Sequence, residues 1–133
     1  MASDSEAIEF LTVEDLVALA TMLLGKPPSI RDMGLLGSAA ARPETTVFGT
    51  DAYPDVWAKA AALLQSVVKN HALLDGNKRL GWLATAVFLE INGVPVVHAP
   101  NDGVYDLVLG VAAGDATVNE IATALRLLAS GDV

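Results

Sequence analysis

Two long apolar runs at helical spacing, joined by a nine-residue stretch, constrain this chain more than any other feature. Val56, Trp57, Ala60, Leu63, Leu64, Val67 and Val68 form the stripe of one helix. Leu80, Trp82, Leu83, Ala86, Val87, Leu89 and Ile91 belong to the next. Between them lies His71-Ala72-Leu73-Leu74-Asp75-Gly76-Asn77-Lys78-Arg79. Nowhere else do a histidine, a carboxylate, a turn glycine, an amide and two adjacent cations fall so close together. Gly76 permits positive φ and a close approach by a ligand. Backbone N–H groups at a helix start suit an anion. Asp75 could hold a divalent metal, and His71 could handle a proton. Each member alone has a plainer explanation: a histidine near a helix end usually packs or caps, and Asp-Gly is usually a turn. Lys78-Arg79 is the informative pair, because cations are unfavourable at the positive end of a helix unless an anion stands in front of them.

The remainder of the chain reads as helices around that pair. Thr12 caps a first helix over 13–24, closed by Gly25. Lys26-Pro27-Pro28-Ser29 is a connector. Asp32 caps a short helix over Met33–Ala41, in which Gly34 and Gly37 each cost about 1 kcal/mol against alanine; Pro43 stops it. Residues 44–52, with β-branched and aromatic residues before Gly49, suit a small hairpin or flap, although an ordinary loop is the commoner reading of such a composition. An extended peptide could pair with the edge of such a segment. The third helix starts after Pro54 and delivers His71, with Lys59, Gln65, Ser66, Lys69 and Asn70 expected on its outer face. The fourth, 77–92, is apolar nearly all round and is expected to be the central helix. Val94–Ala99 is too short to found a sheet. Asn101 or Asp102 would cap a fifth helix over 103–113, and Thr117-x-x-Glu120 is a capping box for a sixth over 118–129. The expected fold is one all-α domain spanning 1–133, a compact bundle of about six helices. It has a polar lead over 1–11 and a hairpin-like flap before the long third helix.

Composition narrows the function. The hydrophobic share is 53% and the mean hydropathy +0.46, yet the most apolar run, Leu80–Leu89, is far shorter than the roughly 20 residues a bilayer requires. Surplus apolar surface can be covered by a partner. The acidic start, Met-Ala-Ser-Asp-Ser-Glu, is unlike a basic signal peptide, and the chain has no cysteine; a cytoplasmic setting is expected. A net charge of −8 with eight Lys and Arg disfavours direct nucleic-acid binding.

Other motifs fail. No glycine stands at the offset before Gly25-Lys26 that a Walker A loop needs. Thr46, Thr50, Ser29 and Ser38 lack the setting of a hydrolase nucleophile elbow. His71 and His98 are too few for a histidine-rich metal site, and His98 reads as a surface loop residue.

His-x-x-x-Asp-Gly-Asn-Lys-Arg, at His71 and Asp75 to Arg79, resembles the signature of the Fic superfamily, and most closely its Doc (death-on-curing) toxin branch. The resemblance extends to Ile30-Arg31-Asp32-Met33-Gly34-Leu35-Leu36, Ala41-Arg42-Pro43, Tyr53-Pro54, Val68-Lys69-Asn70-His71 and Phe88-Leu89-Glu90-Ile91-Asn92-Gly93, covering roughly Val13 to Leu128. It implies a Fic/Doc fold. It also implies a toxin that transfers the γ-phosphate of ATP, with Mg²⁺, to a threonine of elongation factor Tu and so arrests protein synthesis. Fic enzymes in general transfer AMP; Lys78 in place of the motif's second glycine is associated in the Doc branch with a flipped nucleotide and phosphate transfer. Position by position, His71 would activate the acceptor or take part directly in phosphoryl transfer, and Asp75 would hold and orient Mg²⁺. Gly76, Asn77, Lys78 and Arg79 would cradle the phosphates. Thr45, Thr46, Val47, Phe48 and Gly49 would be the flap that aligns the target.

The chain departs from the family at three places. Ala72-Leu73 replaces Pro-Phe, so Leu73 must anchor the loop. Leu80-Gly81-Trp82 stands where many relatives have Thr-Ala. The second motif arginine of AMP-transferring enzymes is absent. The inhibitory helix signature of some Fic proteins is not matched either, because Ser5 and Glu9 are followed by Phe10. The Doc branch instead pairs with a small antitoxin whose C-terminal segment folds onto the toxin as a helix. An AMP transferase and a catalytically silent Fic-fold binding protein are the alternative readings.

Overall fold

A computed structural model describes residues 8–131, so the polar lead up to residue 7, including Ser5, lies outside the described residues. Six helices follow in order: α1 Val13–Leu24, α2 Met33–Ala41, α3 Val56–Asn70, α4 Asn77–Ile91, α5 Asn101–Ala113 and α6 Val118–Ser130. A 3-10 turn, Arg42–Glu44, extends α2, and a hairpin of β1 Thr46–Val47 and β2 Thr50–Asp51 precedes α3. Among the described residues the fold is all-α with this one small antiparallel sheet. No described helix is long and apolar enough to cross a membrane.

Local chemistry explains most boundaries. Thr12 and Asp15 form a reciprocal capping box, Asp15 N–H to Thr12 Oγ1 at 3.1 Å and Thr12 N–H to Asp15 Oδ2 at 2.8 Å. Thr117 and Glu120 do the same for α6. Asp32 caps α2 and Asp55 caps α3 through their side chains. The hairpin pairs Thr46 with Asp51 and Val47 with Thr50. Its tip, Phe48-Gly49, has φ of 51° and 78°, the two positive values that a type I′ turn demands. One boundary differs from expectation. The fifth helix begins at Asn101 because Pro100, with φ −65°, occupies the N-cap position and its carbonyl accepts from Val104 N–H at 3.0 Å. Asn101 and Asp102 therefore lie inside the helix and cap nothing.

The central helix is α3, not α4. It packs against α2, the 3-10 turn, α4, α5 and α6, and residues 58–64 and 66–68 are all buried. Lys59 and Ser66, expected on its outer face, are 3% and 6% exposed. Four alanines, Ala58, Ala60, Ala61 and Ala62, explain this placement, since small side chains let neighbouring helices close in on several sides. Helix α4 buries one stripe, Leu80, Gly81, Ala84, Thr85, Phe88 and Leu89, and leaves Ile91 exposed.

The α3–α4 contact depends on Gly81. A Cβ there would lie 2.6 Å from Val68 Cγ2 and 3.3 Å from Leu64 Cδ1, and valine has little rotamer freedom with which to move aside. At the far end of α4, Asn92 clasps the backbone of Glu9, with Glu9 N–H to Asn92 Oδ1 at 2.9 Å and Asn92 Nδ2 to Glu9 O at 2.9 Å. Phe10 then stacks against Phe88 with ring centroids 6.1 Å apart. Gly81→Ala should destabilise the protein by about 1–3 kcal/mol through overpacking, measured by urea denaturation; an unchanged midpoint would show that the two helices are not held this close.

Candidate functional site

The loop between α3 and α4 is held from below by apolar burial and by hydrogen bonds from one neighbouring segment. Ala72 and Leu73 are buried, at 3% and 2% exposure, so Leu73 does serve as the loop's core anchor. Leu73 forms an antiparallel bridge with Ile30. Ala72 O accepts from Arg31 N–H at 2.7 Å and Asp32 N–H at 3.1 Å, and Leu74 N–H donates to Ser29 O at 3.0 Å. The connector Ser29–Asp32 is thus a brace for the loop.

Asn77 plays a part different from phosphate recognition by its side chain. Its Oδ1 accepts from Leu73 N–H at 3.0 Å and its Nδ2 donates to Leu73 O at 2.9 Å. Both ends of the amide are spent on closing the loop, which leaves Asn77 its backbone N–H to offer a ligand. Gly76, with φ 92°, occupies the N-cap position of α4, and a Cβ there would lie 3.4 Å from Leu24 Cδ2. Positive φ and the close neighbour both favour glycine. Because glycine has no side chain, no side chain among the described residues caps the start of α4. Its first N–H groups, those of Asn77, Lys78 and Arg79, are the orphan donors that bind anions at helix starts.

The charged residues stand outside this pinned base. His71, Asp75, Lys78 and Arg79 are all exposed. Asp75 Oδ2 and Arg79 Nη2 are 3.3 Å apart, with side chains 83% and 55% exposed. An ion pair so open to water is worth about 0–1 kcal/mol, so either partner can be recruited cheaply. Lys78 makes no ion pair or hydrogen bond among the described residues, and no cluster of three or more His, Asp or Glu occurs among them. A metal at Asp75 would draw its remaining ligands from phosphate oxygens and water, as magnesium at nucleotide sites commonly does. The residues present fit a magnesium–nucleotide complex in this sense: an open carboxylate, two cations and uncapped N–H groups along one loop.

The hairpin is hung on α3 as well. Lys59, although buried, donates from Nζ to Asp51 Oδ2 at 3.1 Å and to Tyr53 O. Arg42 donates to the Tyr53 hydroxyl at 2.9 Å, Gln65 Oε1 at 2.7 Å and Ser66 Oγ at 2.9 Å, with its guanidinium over the Tyr53 ring. Thr45 stands just before β1, its N–H donating to Arg42 O at 3.0 Å and its carbonyl accepting from Ala52 N–H at 2.9 Å, and Thr46, Val47, Phe48 and Gly49 form the exposed tip. Among the described residues no hydrogen bond or ion pair joins the hairpin to the His71–Arg79 loop. Their common support is α3. Arg31, Arg42 and Lys59 were assigned no function from the sequence, because their partners are fixed only by the fold. Asn77→Ala should cost about 1–3 kcal/mol by orphaning two Leu73 backbone groups and should speed hydrogen exchange at Leu73 N–H; unchanged exchange would reject the pinning role.

The chain matches the Fic/DOC family over residues 10–89. It is 48% identical to "Toxin Doc" of Mycolicibacterium smegmatis, across 88% of this chain and 91% of that protein. It is 29% identical to "Protein kinase doc" of Escherichia phage P1, across 89% of this chain and 94% of that protein. With the His71–Arg79 motif lying inside the matched region, the chain belongs to the Fic/DOC family.

Proposed function

We propose that this protein is the toxin of a toxin–antitoxin pair and that it transfers the γ-phosphoryl group of ATP to a threonine hydroxyl of elongation factor Tu. The observation that carries this reading is the uncapped start of α4, which combines three N–H donors with exposed Lys78 and Arg79 directly after Asp75. Phosphoryl transfer asks a protein mainly for positioning and charge stabilisation. The names of the two relatives, a toxin and a protein kinase, agree with the reading.

His71 takes the proton of the acceptor hydroxyl onto an imidazole nitrogen as the hydroxyl oxygen bonds to the γ-phosphorus. The bond from that phosphorus to the bridging oxygen breaks and ADP leaves. Lys78, Arg79 and the N–H groups of Asn77 and Lys78 hold the phosphates in line and offset the charge that builds on the leaving group. Asp75 would hold Mg²⁺, whose contribution when bound is to neutralise phosphate oxygens. Arg79 would leave Asp75 for the phosphates as the nucleotide enters. The hairpin Thr45–Gly49 presents the target segment to His71. The cytoplasmic partner that restrains the toxin is a small antitoxin whose C-terminal helix covers exposed apolar side chains.

Intact-mass analysis of purified elongation factor Tu after incubation with this protein, ATP and Mg²⁺ should show a gain of about 80 Da, against about 329 Da for AMP. His71→Ala should abolish it. No adduct, with His71→Ala and wild type alike, would favour a silent binding protein. Lys78→Gly should move the added mass toward that of AMP, and retention of pure phosphate transfer would refute an orienting role for Lys78. Asp75→Ala should weaken Mg²⁺-dependent nucleotide binding in calorimetry, and unchanged binding would reject its metal role. Native mass spectrometry after co-expression with the neighbouring open reading frame should reveal the antitoxin complex.

A further inference from the structure

Helix α3 ends unlike the other helices of this chain. Helices α1, α5 and α6 close on Gly25, Gly114 and Gly131, each with positive φ. Each of these glycines also returns its own N–H to the helix, Gly25 to Thr21 O at 2.9 Å, Gly114 to Val111 O at 3.0 Å and Gly131 to Leu128 O at 3.1 Å. This is the ordinary glycine closure of a helix. At the end of α3 the same left-handed position is held by His71, with φ 51° and ψ 45°. Among the described residues only His71 and Phe48 combine a side chain with positive φ, and His71 N–H makes no return bond of the glycine kind.

The closure comes instead from forty residues away. Arg31 Nε donates to His71 O at 2.8 Å, Arg31 Nη2 donates to the same carbonyl, and Nη2 also reaches Asn70 O at 3.3 Å. The backbone N–H groups of Arg31 and Asp32 take the next carbonyl, Ala72 O. Three successive carbonyls at the end of α3 are therefore satisfied by one short segment. A planar guanidinium suits this task because its N–H groups are arranged in a rigid fork, and a cation is favourable at a helix C-terminus. Side chains held in sparsely populated backbone regions persist only where their surroundings over-determine them, and they cluster at functional sites.

We infer that Arg31 is a positioning residue: it holds His71 in the left-handed conformation and so fixes where the imidazole is carried for phosphoryl transfer. The inference rests on His71 being the group that takes the acceptor proton. Arg31 acts through the His71 backbone and touches no substrate in this role. Its loss should lower the rate of the chemical step and leave nucleotide capture at the start of α4 intact.

The test compares wild type, Arg31→Met, Arg31→Lys and His71→Ala as full-length proteins, with elongation factor Tu, ATP and Mg²⁺. Misplacement of a reacting group lowers rates by about ten- to hundred-fold, so Arg31→Met should lose kcat in that range while KM for ATP stays within about two-fold. Arg31→Lys, which keeps the charge but lacks the fork, should recover part of kcat. In the NMR spectrum of Arg31→Met, the His71 Cα and Cβ shifts should leave their left-handed values, while the Lys78 and Arg79 amides stay in place. Wild-type kcat in Arg31→Met beside an inactive His71→Ala would overturn the inference and leave the role of His71 standing, as would unmoved His71 shifts. Equal activity in His71→Ala and wild type would remove the role of His71, and the inference with it. If Arg31→Met does not fold, Arg31→Lys decides: wild-type kcat together with wild-type His71 shifts overturns the inference.

Discussion

The close approach of α3 and α4 is the constraint on which the other features depend. Gly81 leaves room for Val68 and Leu64 where any side chain would collide with them. The alanine-rich α3 lets α2, α5, α6 and the 3-10 turn gather around the same helix. A helix buried on this many sides cannot shift without moving several neighbours, because protein interiors are close-packed. Both candidate functional segments are attached to it. The hairpin is tied to its first half through Lys59, the adjoining Arg42 reaches Gln65 and Ser66 in its second half, and the motif loop continues from its last residue.

Within the motif loop, the residues divide into a pinned set and an exposed set. Ala72, Leu73 and Asn77 spend their side chains on burial or on closing the turn. His71, Asp75, Lys78 and Arg79 face solvent. This division is what a preorganised site requires, with exposed polar groups carried on a loop that the pinned residues hold in place. The burial of Leu73 and its bridge to Ile30 keep the loop against the core. Backbone bonds from Arg31, Asp32 and Leu74 add to this hold.

The electrostatics follow the same economy. The chain carries a net charge of −8, but two of its few cations sit beside the positive end of α4, where the macrodipole opposes them. Asp75 offsets part of this through an exposed pair with Arg79. Such a pair is weak enough to be exchanged for phosphate and metal partners. Lys59 is the contrasting case, a buried cation fully engaged by Asp51 and the Tyr53 carbonyl. The first pair can serve function, whereas the second maintains structure.

The helices, the hairpin and the motif were legible in the sequence because their determinants are local. Capping boxes at Thr12 and Thr117, closing glycines and apolar periodicity act within a few residues, and the Asp75–Arg79 cluster is contiguous. The Phe48-Gly49 turn was foreshadowed by Gly49 alone. What the sequence could not rank was helix centrality, since alanine adds little hydropathy and yet permits the closest packing. It also could not place Lys59 and Ser66, whose burial is decided by helices far along the chain. The bond from Arg31 to His71 spans forty residues, and no local pattern encodes such a pairing. The sequence by itself determined which segments are helical and which nine residues form the family motif. Only the tertiary structure decided which helix supports them and which distant arginine holds the histidine in place, because those outcomes depend on long-range packing.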